Sequence, residues 1–134
     1  MREIIFRAKR EDNGEWVYGY YVRLPDVTGS VHRMYVPAEN PDESNAVYYI
    51  DPKTLGQYTG LIDCNGIKIF EGDIVQDYDP EDEPAEVRYD EMETEFAVTI
   101  ENCYYGLGNT FLSKDLTVLG NGHDNPKLLR ESNE

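Results

Sequence analysis

The amino-acid sequence predicts a mainly β domain, a curled sheet or small barrel with one or two short helical turns. Its 134 residues include 11 Tyr, 4 Phe and 1 Trp, and aromatic and β-branched side chains favour the pleated, half-buried surface of a sheet. The apolar segments are short and alternate with clusters of Gly, Pro, Asn and Asp, as expected of many brief strands. Curling or closure would remove the unpaired edges that invite aggregation. A chain of this length fits one domain, 1–134, with mobile loops near 37–45 and 77–85, a frayed tail over 131–134, and its heart after Gly60.

Residues 2–8 read as an edge strand with Ile4 and Phe6 on one side, followed by an Asp12-Asn13-Gly14 turn. The segment 16–24 (WVYGYYVRL) is the most β-like, with Trp16, Tyr18, Tyr20 and Val22 on one face and Gly19 marking a bulge or a close backbone approach. It pairs with 31–36 across a moderately long loop, 25–30. Pro37 to Asn45 is polar and exposed, and 46–50 returns to strand. Asp51-Pro52 supplies capping and first-turn residues for one helical turn that ends at Gly56. Strands 58–64 and 67–70 flank Asn65-Gly66, a pair suited to a two-residue type I′ turn. Glu71-Gly72-Asp73 bends the chain into Ile74-Val75, and the proline-rich, acidic 77–84 is a solvated loop. Strands follow at 86–89, 95–101 and 115–119, then a short helix from Pro126 to Arg130, with Leu128 and Leu129 as its buried contacts.

The formal net charge is −15, and it is unevenly spread. Between Glu71 and Glu95 twelve acidic residues face one basic residue, Arg88, leaving −11 in that window and −4 elsewhere. Such a face repels phosphate backbones and lacks the counterion release that drives most nucleic-acid binding. Cys64 and Cys103 are too few for a disulfide framework and are read as free thiols. No apolar run approaches the roughly 20 residues a membrane helix needs, and 1–10 lacks a signal peptide's apolar middle. A soluble, cytoplasmic protein is expected.

Several segments taken together carry a family resemblance: Arg2-Glu-Ile-Ile-Phe-Arg-Ala8, Trp16-Val-Tyr-Gly19, Thr54-Leu-Gly-Gln-Tyr-Thr-Gly-Leu61, Asp63-Cys-Asn-Gly66, Ile69-Phe-Glu-Gly-Asp-Ile-Val75, Leu119-Gly-Asn121 and Asn125-Pro-Lys-Leu-Leu129. In order and spacing they resemble the YopX proteins of phages and prophages across nearly the whole chain. Lys9, Gly122 and His123 depart from the family pattern, which weakens any claim that those positions bind a ligand. The resemblance implies a phage or prophage origin and a mostly β fold with a barrel-like part. It implies no established activity and no catalytic residues.

No residue pattern assembles a catalytic centre, so the chain is read as a non-enzyme with no cofactor and no metal. Asp77-x-Asp79-x-Glu81 starts like a calcium loop, but the sixth position is Asp82 instead of Gly and the twelfth is Arg88 instead of Glu. Glu71 and Asp73 flank a glycine bend, where carboxylates cap turn N–H groups as readily as they hold a metal. His32 and His123 are far apart in sequence, and neither cysteine has a catalytic motif around it. Gly56, Gly60, Gly66 and Gly72 lack the lysine of a phosphate loop and are turn residues.

The candidate interaction residues are Gln57, Tyr58 and Thr59, Tyr48, and the acidic Asp77, Asp79, Glu81, Asp82 and Glu83. Tyr58 would anchor a binding edge, with local backbone hydrogen bonding as the structural alternative for Gln57 and Thr59. Adjacent tyrosines in a strand point to opposite faces, so one of each pair at 20–21, 48–49 and 104–105 should stay exposed. The favoured function is a noncatalytic protein-interaction module that docks on a host or phage protein, in its most acidic form a mimic of DNA. Self-association is compatible with the sequence. The alternatives are a nucleic-acid-binding barrel using Arg2, Arg7, Lys9 and Arg10 beside Trp16, and a metal-dependent hydrolase.

Overall fold

The computed structural model describes residues 2–110 and 115–130, and the chain divides into two units, Met1–Tyr58 and Thr59–Glu134. The fold is mainly β, as expected. Its sheets are antiparallel and, among the described residues, none closes into a barrel.

In the first unit the strands are β1 (Phe6–Lys9), β2 (Trp16–Asp26), β3 (Gly29–Val36), β4 (Ala46–Tyr49) and the start of β5 (Gly56–Ile62). Their order is β4-β3-β2-β1-β5. β1 therefore lies inside the sheet instead of at its edge, because the 3-10 turn Pro52–Thr54 returns the chain alongside it. Asp51 caps that turn by accepting from the Lys53 N–H at 3.0 Å. The Thr54 hydroxyl accepts from the Lys9 N–H at 2.8 Å and ties the turn to β1.

The β2–β3 hairpin is longer than the sequence suggests. Pairing runs out to Asp26↔Gly29, leaving a loop of only Val27 and Thr28. Proline is tolerated at position 25 because β1 reaches only to Gly19, so beyond that point β2 has one neighbour and one free edge. Gly19 is a close-approach position, since a Cβ there would collide with the Tyr35 carbonyl.

The sheet curls until Ile50 meets Arg10 in an isolated bridge. Glu11 N–H donates to Tyr49 O at 2.9 Å and Asp51 N–H to Lys9 O at 3.0 Å on either side of it. Inside the curl lie Ala8, Met34 and Ile50, with Phe6, Val17 and Tyr21 packed against them.

In the second unit the rest of β5 pairs with β6 (Lys68–Phe70). The turn between them is not type I′. Gly66 N–H donates to Asp63 O at 3.0 Å and Asp63 N–H to Ile67 O at 2.7 Å, and of the Asn65-Gly66 pair only Gly66 has positive φ, +80°. This is a three-residue loop with the glycine in the left-handed position. The reason is Asp63, whose carboxylate captures the Asn65 and Ile67 N–H groups at 2.8 and 2.9 Å.

At the following bend Gly72 has φ +94°, and Asp73 Oδ2 accepts from the Phe70 N–H at 2.7 Å. β7 (Asp73–Gln76), β8 (Ala85–Glu86) and β12 (Thr117–Asn121) form one sheet in the order β12-β7-β8. β9 (Arg88–Asp90), β10 (Glu95–Ile100) and β11 (Cys103–Gly106) form another, in the order β11-β10-β9. The single strand expected at 86–89 is thus split at Val87, a buried corner whose N–H and C=O bond Asp73 and Gly72.

β11 and α1 (Leu107–Thr110) were not foreseen, whereas α2 (Lys127–Arg130) was. The core gathers Ile69, Val75, Val87, Val98, Ile100 and Leu116. The tail at 131–134 lies outside the described residues. No helix among those described is long and apolar enough to cross a membrane.

Candidate functional site

Strand parity and register build a continuous surface on the face of the first unit's sheet opposite its core. Tyr20 pairs with Tyr35 and Tyr35 with Val47, while Val22 pairs with Arg33 and Arg33 with Tyr49. Paired residues share a face, so Tyr18, Tyr20, Tyr35, Val47 and Tyr49 all lie on one side. Their exposures run from 36% for Tyr35 to 57% for Tyr49. Their neighbours Val17, Tyr21 and Val36 point the other way, onto the core.

Cations are interleaved with these rings. The Arg7 guanidinium lies 5.0 Å and the Lys9 ammonium 5.4 Å from the Trp16 ring centroid. Arg33 lies 5.4 Å from the Tyr49 ring.

Of the sequence candidates, Gln57, Tyr58 and Thr59 fall in strand β5. Tyr58 is 8% exposed, so its ring is not presented to solvent. Thr59 Oγ1 donates across to Ile69 O of β6 at 2.8 Å and accepts from the nearby Leu61 N–H at 3.2 Å, both backbone groups. Tyr48 is half-buried, with the Arg10 guanidinium 4.2 Å above its ring.

The acidic candidates do converge in part. Asp77 is buried, its Oδ1 accepting from the Asp79 N–H at 2.9 Å, and Gln76 Nε2 stitches the loop by donating to Asp79 O and Asp82 O at 3.0 and 2.8 Å. Asp82 is hydrogen-bonded to Asp77, and that bond, then desolvation, then the charges of Asp77, Asp79 and Glu101 push its carboxyl up to about 6. Glu81 is exposed and Glu83 half-buried.

Asp73, the partner of Glu71 in the hydrolase reading, is taken up in capping the bend. Among the described residues no group of three or more His, Cys, Asp or Glu is placed to hold a metal ion. Cys64 and Cys103 are free and exposed. His32 Nδ1 is 2.6 Å from the Tyr21 hydroxyl, inside the curl.

The sequence singled out most of these tyrosines but passed over Tyr35. The signal for Tyr35 is cross-strand: it stands opposite Tyr20 once the hairpin register is known.

The chain matches the family model described as YopX protein over residues 5–130. It belongs to the YopX family. A solved structure of similar fold, the crystal structure of protein EF1440 from Enterococcus faecalis, is 23% identical with a TM-score of 0.59, and the match covers 96% of this YopX-family chain and 99% of that one. Among curated proteins none matches it.

Proposed function

We propose that the chain is a noncatalytic protein-interaction module, acting in the host cytoplasm on a host or phage protein through the outer face of the first unit's sheet. The observation that carries this is the row Tyr20–Tyr35–Val47, flanked by Tyr18 and Tyr49. A cluster of half-exposed tyrosines on a rigid sheet supplies large contact area at small loss of side-chain freedom, which suits protein recognition. Arg33 and Lys9 among the rings favour a partner whose surface carries carboxylates.

Affinity capture from infected or induced host cells tests this, run with the parent and with a Tyr20→Ser, Tyr35→Ser, Tyr49→Ser triple variant. The parent should retain specific proteins that the variant loses; an unchanged partner list removes this face from the function.

The Lys9 ammonium over Trp16 favours a second reading, single-stranded nucleic acid stacked on the aromatic face, although Arg7 beside it is buried. Gel shifts with single-stranded DNA and RNA at low salt decide it: binding abolished by Trp16→Ala supports nucleic acid, and no shift at all removes it.

A further inference from the structure

The second unit carries a feature that the tyrosine face does not explain. A groove of about 660 Å³ runs beside β9, lined by Ala97, Thr99 and Tyr104, which share one face of the sheet, and at its strand edge by Tyr89. Its rim is acidic, with Glu83, Asp90 and Glu91. Among the described residues Arg88 is the cation lining it, and that guanidinium is already ion-paired with Glu86. We propose that this groove is a docking site for a basic, extended segment of a partner protein, taking up lysine and arginine side chains.

The chemistry of the lining argues for that occupant. A tyrosine ring attracts a cation to its face, and carboxylates receive guanidinium groups as paired hydrogen bonds. Tyr104 stays a neutral phenol, its value pushed up to about 12 by burial, then by the charges of Glu95 and Asp90 and the hydrogen bond to Glu95.

β9 is the terminal strand of its sheet, so an extended segment has an edge to pair with. The second unit holds 5 Lys and Arg against 18 Asp and Glu, so its field draws in a basic chain and repels phosphate. The proposal is independent of the tyrosine face on the first unit.

The test uses the full chain and two fluorescein-labelled nonapeptides, one alternating Arg and Ser, the other alternating Glu and Ser. Fluorescence anisotropy is measured for the parent, for a Glu83→Gln, Asp90→Asn, Glu91→Gln variant, and for a Glu39→Gln, Asp42→Asn, Glu43→Gln variant. The last makes the same change in net charge in the exposed loop at 37–45.

The parent should bind the Arg peptide and not the Glu peptide. Groove neutralisation should weaken binding roughly tenfold, and loop neutralisation less than about twofold. In the unmodified protein, amide NMR shifts on adding the Arg peptide should map to 83–91 and 97–104. Equal losses in both variants, shifts scattered over the acidic surface, or no binding of the Arg peptide would overturn the proposal.

Discussion

At the scale of the residue, single carboxylates decide local geometry. Asp63 is 3% exposed and accepts from three backbone N–H groups, those of Asn65, Ile67 and Val118, the last at 3.0 Å. Desolvation works to raise its carboxyl, but these donors outweigh it and hold the value below the ordinary range. Asp63→Asn should destabilise the protein by about 2 kcal/mol in urea unfolding at pH 7, since a charged acceptor is lost to buried donors. Because the folded value is depressed, this stabilisation is present above the unfolded carboxylate range and disappears as pH falls below about 4.

Asp82 has the opposite sign. Its value is raised, so its favourable contribution is full below the unfolded range and is lost as pH rises through about 6. Asp82→Asn, which can still donate to Asp77, should therefore melt higher than the parent at pH 8, with the gap closing near pH 4. An equal gap at both pH values would separate the pair from the stability of the loop. The sequence showed these acids as a solvated run. It could not show that Asp77 turns inward, because that depends on Gln76 gathering the loop through its carbonyls.

At the scale of the element, turns were legible where one residue type forces the conformation and illegible where tertiary pairing does. Asp12-Asn13-Gly14 and the Asp51-capped turn stand where the sequence placed them, since glycine and a capping carboxylate act locally. The alternation rule for tyrosine pairs also holds: Tyr20, Tyr49 and Tyr104 are exposed at 53%, 57% and 45%, while Tyr21 and Tyr105 pack on cores.

By contrast, the β10–β11 hairpin turns through Glu101 and Asn102, with φ of 51° and 65°. Glu-Asn carries no turn signature, so β11 went unforeseen. Replacing the pair with Asn-Gly should stabilise the protein by roughly 1 kcal/mol, because a glutamate in the left-handed region is strained. Thermal unfolding at pH 4.5, where Asp82 is mostly protonated, isolates the backbone effect. Gly19→Ala should act the other way, costing about 2 kcal/mol or more as its Cβ pushes β3 away. Urea unfolding reads that loss, and a neutral result would contradict the close packing of Gly19 on Tyr35.

At the scale of the whole molecule, charge is divided between the two units. The first holds 7 Lys and Arg against 9 Asp and Glu, the second 5 against 18. The acidic window was plain in the sequence, but neither surface was. The tyrosine face needs the register of three strands, and the groove gathers residues 83–86, 88–91, 97–99, 104 and 129, which no local pattern connects. The family was legible because its motifs are turn and bend instructions, fixed by backbone geometry. The surfaces lie outside those motifs for the most part, with Arg7, Trp16, Tyr18 and Leu129 as the overlap.

In the proposed function a partner protein covers the outer face of the first unit's sheet. Hydroxyl-radical footprinting of the captured complex tests it most directly, with Tyr78, 78% exposed in the acidic loop, as an internal reference. Oxidation of Tyr20, Tyr35 and Tyr49 should fall several-fold on binding while Tyr78 keeps its rate. Unchanged oxidation of those three tyrosines in a saturated complex would contradict the account.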